Sequence, residues 1–304
     1  MRLKKITVNN LGIISTQFQL LNAIEFSKSF LKSKKLSLIV LIHNKIHEKQ
    51  IKQMASKFNI KIIYSIRFRK GIQYIDLFIK LMKFKIKYSV ENLIIGHTKN
   101  NMMLLSLKLI DFKKLNLVDD GEILEVKDLK PSINKKYFPI NYYSIFDLKS
   151  NKFFRFIKNE YEYFKLKSKK KINNKILFIG VPFVEHNAVP KKLYLSLIEK
   201  VLNKEKTIDY IMHPRERADK FKNIKNINFF SYKYGVEQYI LDSDLLPAKI
   251  ISFYSTALTS LRLIINSEEV NLSFIDLRKY LKSKYARDVE YDYLKKNNGE
   301  YMLE

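Results

Sequence analysis

Three short polar stretches in this chain have the residue types and spacing to carry chemistry. The first is Val118-Asp119-Asp120-Gly121-Glu122. Two adjacent carboxylates at the end of a β-run let one stay ionised as a general base while the other orients backbone or substrate, and Gly121 permits a sharp turn. The second is Met212-His213-Pro214-Arg215-Glu216. Pro214 fixes the turn and biases His213 to an extended backbone, so the imidazole projects from a strand end, where it can donate to a phosphate oxygen or protonate a leaving group. The third is Tyr254-Ser255-Thr256-Ala257-Leu258, a Ser-Thr pair at the start of a helical pattern. Hydroxyls, free N–H groups and the positive end of a helix dipole together make an anion site. Taken singly, each stretch is equally an ordinary turn or helix N-cap, since Asp, Ser and Thr are favoured at both.

These stretches must be held by something, and the pattern around them is that of parallel βαβ units. In the first half, β-branched runs at 4–9, 36–43, 60–65, 92–96 and 114–118 alternate with helical periodicity near 16–33, 45–58, 71–88 and 99–110. The second half repeats the rhythm, with strands expected at 175–181, 207–212, 226–230, 249–254 and 270–276 and helices near 190–204, 235–243, 256–265 and 286–297. The expectation is an α/β protein of two Rossmann-like, doubly wound domains, 1–165 and 166–304. Ligands of open α/β sheets sit beyond the carboxyl ends of strands, which is where all three polar stretches fall. Between the halves, 150–174 loses the strand rhythm and is dense in lysine and aromatics, as an interdomain connection would be. Its cluster of Phe153, Phe154, Phe156, Tyr161, Tyr163 and Phe164 suits either a helix packed on its own protein or a surface resting on an anionic membrane.

Composition narrows the chemistry. Of 304 residues 46% are hydrophobic, enough for two domain cores, and none is cysteine, which removes disulfides, thiolate nucleophiles and cysteine-ligated metals. His43, His47, His97 and His186 show no metal-ligand spacing, so no metal is expected. There is no Walker-type phosphate loop, no G-x-G-x-x-G and no G-x-S-x-G elbow, against nucleotide kinases, Rossmann dehydrogenases and α/β-hydrolases. The start, MRLKKITVNN, lacks the apolar core of a secretory signal and no apolar run reaches a membrane span; the expected location is cytoplasmic, with a peripheral contact on the inner membrane face as an extension. A net charge of +27 favours polyanions without choosing among them. It is mostly lysine spread through every segment, and no nucleic-acid module accompanies it, so nucleic acid is not the expected partner.

In their order and spacing the three turns together resemble the acidic-acidic-Gly, His-Pro and Ser-Ser/Thr motifs of bacterial sialyltransferases of the two-domain GT-B type. Residues 15–24, STQFQLLNAI, resemble the strand-to-helix opening of the polysialyltransferase and lipooligosaccharide sialyltransferase families, with Gln17 where proline is common. The resemblance implies that Asp119 is the general base on the acceptor hydroxyl and that Asp120 orients the loop. It implies that His213 acts on the CMP phosphate as acid or electrostatic stabiliser beside Pro214, that Ser255 and Thr256 bind that phosphate, and that Glu237, in GVEQYI, holds the cytidine ribose. Gly180 becomes a nucleotide contact, and Gln17, Gln19 and Gly121 become acceptor-side candidates. It also implies an active site in a cleft between an acceptor-side and a donor-side domain, with the last helix crossing back over the first.

The implied reaction is metal-independent, inverting transfer of sialic acid from CMP-sialic acid to a glycan or glycolipid acceptor such as a lipooligosaccharide or capsule. It needs a base for the hydroxyl and relief of negative charge on departing CMP, which the residues above supply without a cofactor. Three other readings stay open at this stage: transfer of another CMP-linked nonulosonic acid (pseudaminic or legionaminic), nucleic-acid binding through the basic surface, and a noncatalytic membrane-associated scaffold.

Overall fold

The computed structural model describes residues 5–33, 35–67, 72–96, 101–121, 137–167, 170–230, 235–281 and 288–303. The chain divides into two units, Met1–Tyr163 and Phe164–Glu304.

The first unit alternates strand and helix: β1 (Ile6–Ile14), α1 (Gln17–Glu25), β2 (Ser37–Ile42), α2 (Lys45–Lys57), β3 (Lys61–Arg67), α3 (Ile72–Lys87), β4 (Tyr88–Ile95), α4 (Asn101–Leu109) and β5 (Phe112–Val118), followed by β6 (Ile140–Ser144) and β7 (Phe154–Lys158). Its sheet has the order β3-β2-β1-β4-β5-β6-β7, and every neighbouring pair is parallel. Such a sheet is covered by helices on both faces, which is why β2 reads as an unbroken apolar run, SLIVLI, buried from Leu38 onward. Helices α1 and α2 begin on side-chain caps: the Thr16 hydroxyl accepts the Gln19 N–H and the Asn44 carbonyl oxygen accepts the His47 N–H.

The second unit contains β8 (Lys171–Ile179), α5 (Lys191–Glu205), β9 (Ile208–Ile211), β10 (Ile227–Phe230), α6 (Val236–Asp242), β11 (Leu245–Ser252), α7 (Thr256–Ile265), β12 (Asn271–Phe274), α8 (Asp288–Asn297) and β13 (Gly299–Glu300). Its parallel sheet runs β10-β9-β8-β11-β12-β13. The core is aromatic: Phe178 stacks on Tyr210 at 5.3 Å between ring centroids, and Phe253 meets both Phe178 and Tyr194 edge-on. The final helix, for which the family resemblance implies a passage over the first domain, buries Tyr291 and Leu294 in the core of its own unit.

The structure departs from the expected elements in several places. Strand β1, expected over 4–9, continues to Ile14 with Asn10 buried inside it, its amide donating to Lys35 O at 3.0 Å. That hydrogen bond removes the cost of a polar side chain beneath the sheet. Strand β6 lies where the sequence pattern predicts none. The segment expected to be connection, 150–174, holds all of β7 and the start of β8, and its aromatics are mostly core: Phe154, Tyr161 and Phe164 are buried, and Tyr163 alone of the cluster is largely exposed. The packed helix expected there is therefore a parallel edge strand. Among the described residues no helix is long and apolar enough to cross a membrane.

Candidate functional site

Each sheet has its switch point where strand order reverses, between β1 and β4 in the first unit and between β8 and β11 in the second. Gln17, Gly180 and Ser255 follow strands that flank these switch points (β1, β8 and β11), whereas Asp119 follows β5 and His213 follows β9, each one strand further out.

In the first unit, register levels the relevant strand ends: Ile13 pairs with Ile95, Ile95 with Leu117, and Val118 with Tyr143. Asp119 follows β5 directly and is 1% exposed. Its Oδ2 accepts the Ile145 N–H at 2.6 Å, just beyond the end of β6, whereas Oδ1 is buried without a hydrogen-bond partner. Burial pushes this carboxyl up to about 6, while the Ile145 amide, the Ser144 and Tyr142 hydroxyls and the charge of Lys158 pull it back. A carboxyl that titrates near 6 with one unsatisfied oxygen is suited to taking up a proton. Asp120 and Gly121 are partly exposed at the turn, and Gly121 has a φ of 107°, a conformation that requires glycine.

The backbone of this turn is anchored by residues that sequence reasoning did not single out. Asn22 on α1 donates to the Asp119 carbonyl at 3.0 Å, and its own Oδ1 accepts from Asn159 Nδ2 at 3.1 Å and from the Tyr161 hydroxyl at 2.6 Å. One buried amide thus joins the carboxylate turn to the chain leaving the sheet. Of the acceptor-side candidates, Gln17 and Gln19 are both buried at the start of α1. Gln19 Oε1 accepts the Ser15 N–H and hydroxyl at 2.8 and 3.2 Å, and its side chain fills the space a Cβ on Gly96 would need, at 2.4 Å from Gln19 Cγ. Gln19 therefore locks the β1–α1 turn.

In the second unit, Ser252 pairs with Ile179 and Ile179 with Ile211, so Gly180, His213 and Ser255 leave neighbouring strands at one level. Strands β9 and β11 flank β8, about 10 Å apart at two strand spacings. His213 Nδ1 accepts the Arg215 N–H at 3.2 Å. That bond fixes the tautomer: Nδ1 is the acceptor, so in the neutral ring Nε2 carries the proton and is the donor nitrogen.

The His-Pro turn rests on a buried polar cluster that also escaped sequence reasoning. Glu216 accepts the His213 N–H at 2.6 Å, the hydroxyls of Tyr210 and Tyr194 at 2.8 and 3.1 Å, and Lys220 Nζ at 2.7 Å. Lys220, also buried, reaches Glu185 at 3.2 Å and lies over the Tyr194 ring. Burial raises the Glu216 carboxyl against the opposing pull of Lys220, and it drives the Tyr194 and Tyr210 hydroxyls well above their ordinary range. Gly180, expected as a nucleotide contact, has another explanation here. A Cβ on it would lie 2.0 Å from Glu216 Oε2 and 2.6 Å from the Tyr210 hydroxyl, so the glycine makes room for the carboxylate under the turn.

Ser255 is the N-cap of α7, its hydroxyl oxygen accepting the Ala257 N–H at 3.2 Å, and Thr256 is the first helical residue; both are partly exposed. The cap consumes a lone pair and leaves the hydroxyl hydrogen to donate. Glu237, in the first turn of α6, is buried and held by Ser260 of α7, whose hydroxyl donates to Oε1 at 2.8 Å. Burial raises its carboxyl, partly offset by its own N–H and by Ser260. The α6 carboxylate and the second turn of α7 are thereby tied together. Among the described residues no group of three His, Asp or Glu side chains is placed to hold a metal ion.

No family model matches the chain, and no curated protein matches it significantly. Solved structures do. The Methanocaldococcus jannaschii UDP-GlcNAc 2-epimerase, in complex with UDP-GlcNAc and UDP, superposes with a TM-score of 0.58 at 14% identity over 97% of this chain and 89% of that one. A Listeria monocytogenes UDP-N-acetylglucosamine 2-epimerase, so assigned without proof of activity, gives 0.56 at 8% identity over 90% and 79%. Staphylococcus aureus MnaA with UDP gives 0.53 at 10% identity over 88% and 78%. At these identities the likeness carries the fold: two parallel-sheet, Rossmann-like α/β units of the GT-B class.

Proposed function

We propose that this protein is an inverting glycosyltransferase that moves a sialic acid, or a related nonulosonic acid, from its CMP donor to a glycan hydroxyl. The observation that carries the reading is Asp119: a buried strand-end carboxyl raised to about 6 with one oxygen unpartnered. In the reaction the acceptor oxygen forms a bond to the anomeric carbon of the donor, its proton passes to Asp119, and the bond from that carbon to the CMP phosphate oxygen breaks with its electron pair leaving on CMP. A single displacement turns a β-linked donor into an α-linked product.

The tautomer of His213 sharpens its part. With Nδ1 engaged by the Arg215 amide, loss of the Nε2 proton would leave an imidazolate, so His213 serves as a fixed hydrogen-bond donor to the phosphate and not as a proton source. CMP needs no proton to depart, since a phosphate monoester has its second pKa at about 6. Ser255, Thr256 and the α7 N-terminus supply further donors to that anion. Glu237 is assigned to the ribose hydroxyls, and the choice of CMP rests on the motif resemblance.

The fold likeness to UDP-bound proteins favours a second reading, a UDP-sugar enzyme. Thermal stabilisation by CMP against UDP separates the two, because a ligand that binds only the folded state raises its stability with concentration. Hydrolysis of CMP-linked donors then tests the chemistry without knowledge of the acceptor. Asp119→Ala and His213→Ala are expected to abolish transfer in folded protein; ordinary activity in either, or stabilisation by UDP alone, ends the proposal.

A further inference from the structure

Six of the fourteen exposed large hydrophobic side chains among the described residues belong to one helix, α3: Ile72, Tyr74, Ile75, Phe78, Ile79 and Ile86. Ile72, Ile75 and Ile86 are each 62% exposed, and Phe78 and Ile79 are each 47% exposed. The helix already has a core face, formed by Leu77, Leu81 and Phe84, which are buried against the sheet. The isoleucines at 72, 75, 79 and 86 recur at helical spacing on the opposite side. A globular helix has one apolar stripe; α3 has two, and the second faces solvent.

The charge around the second stripe identifies what covers it. α3 carries Lys80, Lys83, Lys85 and Lys87 against the single acid Asp76, and the strand before it ends in exposed Arg67, which is paired with Glu48 at 3.0 Å. Lys80 and Lys85 are partnered by Asp76 and Asp111, whereas Lys83 lies on the apolar stripe itself, one turn from Ile79. Long lysine stems lie along apolar surface while their ammonium groups reach outward, the arrangement that suits an acyl-chain boundary lined with anionic headgroups. A second copy of a chain with net charge +27 would set like charges against one another at this face. Nucleic acid would match the lysines and leave the isoleucines in water.

We infer that the solvent-facing stripe of α3 docks the protein on the surface of an anionic lipid bilayer. The helix lies in the interface plane with Ile75, Phe78 and Ile79 among the upper acyl carbons and the lysines at the headgroups. Docking is a property of this surface and does not depend on which nucleotide sugar is used. It moves the membrane contact away from the aromatic cluster of 153–164, of which Phe154, Tyr161 and Phe164 are buried and Phe153 and Phe156 pack against the core. The first turns of α3 follow the carboxyl end of β3, the same edge of the sheet that carries Asp119; under the transferase reading, this edge faces a lipid-linked acceptor.

The chain contains no tryptophan, so Phe78→Trp in the full-length protein introduces a single indole reporter on the stripe. With vesicles of phosphatidylcholine containing about one-third phosphatidylglycerol, its emission is expected to shift to the blue and to be quenched by brominated acyl chains; pure phosphatidylcholine gives a much weaker response. Adding Ile75→Glu and Ile79→Glu to this background is expected to weaken vesicle co-sedimentation at least ~10-fold. Both positions are exposed, so far-UV circular dichroism and thermal unfolding stay as in the parent. Absence of the blue shift on anionic vesicles, or undiminished binding by the double glutamate variant, overturns the inference. A shift that follows protein concentration without lipid overturns it in favour of self-association, and an equal shift on DNA does so in favour of nucleic acid.

Discussion

Replacing Asp119 by asparagine tests the buried carboxyl through stability, independently of any substrate. The ordinary value for this group is 3.8 and burial raises it to about 6. At about 1.4 kcal/mol per tenfold change in ionisation constant, that difference corresponds to ~3 kcal/mol. The sign follows from which state holds the proton. Between pH 3.8 and 6 the native protein keeps a proton that the unfolded chain has lost, so stability fully present below 3.8 falls as pH rises and is gone above 6. An asparagine side chain cannot ionise, so the variant escapes this loss. Whatever constant effect the amide has on packing is the same at every pH and cancels in the comparison. Relative to wild type, the stability of Asp119→Asn is therefore expected to rise by ~2.5 kcal/mol between pH 4 and pH 8, about 1.4 kcal/mol of it above pH 5. For a unit of this size, each kcal/mol moves the midpoint by about 2–4 °C. Scanning calorimetry or urea unfolding of both proteins across that range reads the difference directly. Parallel curves, or a variant that gains stability towards acid, would refute the assignment of a raised carboxyl. The same substitution is expected to abolish transfer at every pH, while its stability relative to wild type climbs from pH 4 to pH 8.

The second unit supports further expectations. Glu216→Ala removes the acceptor for the His213 N–H and leaves Lys220 buried with Glu185 as its remaining anionic partner; about 3–5 kcal/mol of stability should be lost, measured by denaturant unfolding, with Glu216→Gln losing less. Gly180→Ala forces a Cβ to 2.0 Å from Glu216 Oε2, and ~1–3 kcal/mol should be lost even though a methyl group is the only addition. Ser255→Ala deletes the α7 cap at about 1 kcal/mol and should also reduce CMP-dependent thermal stabilisation, whereas Ser255→Asp should keep the cap and still lose the CMP response through charge repulsion.

The parts of this protein that could be read from sequence are those where local pattern and tertiary role coincide. Strands such as SLIVLI are apolar on both sides because helices cover both faces of a parallel sheet, so their composition alone marks them. Strand β7 escapes because Arg155 and Lys158 interrupt the pattern at the edge of the sheet, where only one side needs to be apolar. The three polar turns were legible because strand ends are where such residues are conspicuous. Their partners were not. Ile145 meets Asp119 through pairing of β5 with β6, and Tyr194 meets Glu216 through the packing of α5 on β8 and β9; neither relation has a signature at fixed spacing. Glu216 stood in view beside His213 and Pro214, but its inward direction shows only in the folded protein, through its bonds to Tyr194, Tyr210 and Lys220 and the closeness of Gly180.

The burial of Lys220 has a use in labelling. Most lysines among the described residues stand in solvent and react with amine-directed reagents at once, whereas the Lys220 side chain, 4% exposed and held by two carboxylates, must be uncovered first. Because its partner Glu216 also holds the His213 backbone, the event that uncovers it is the loosening of the His-Pro turn. The rate at which mass spectrometry detects modification of Lys220 is thus a clock for the opening of that turn, and a nucleotide that seats on His213 should slow it.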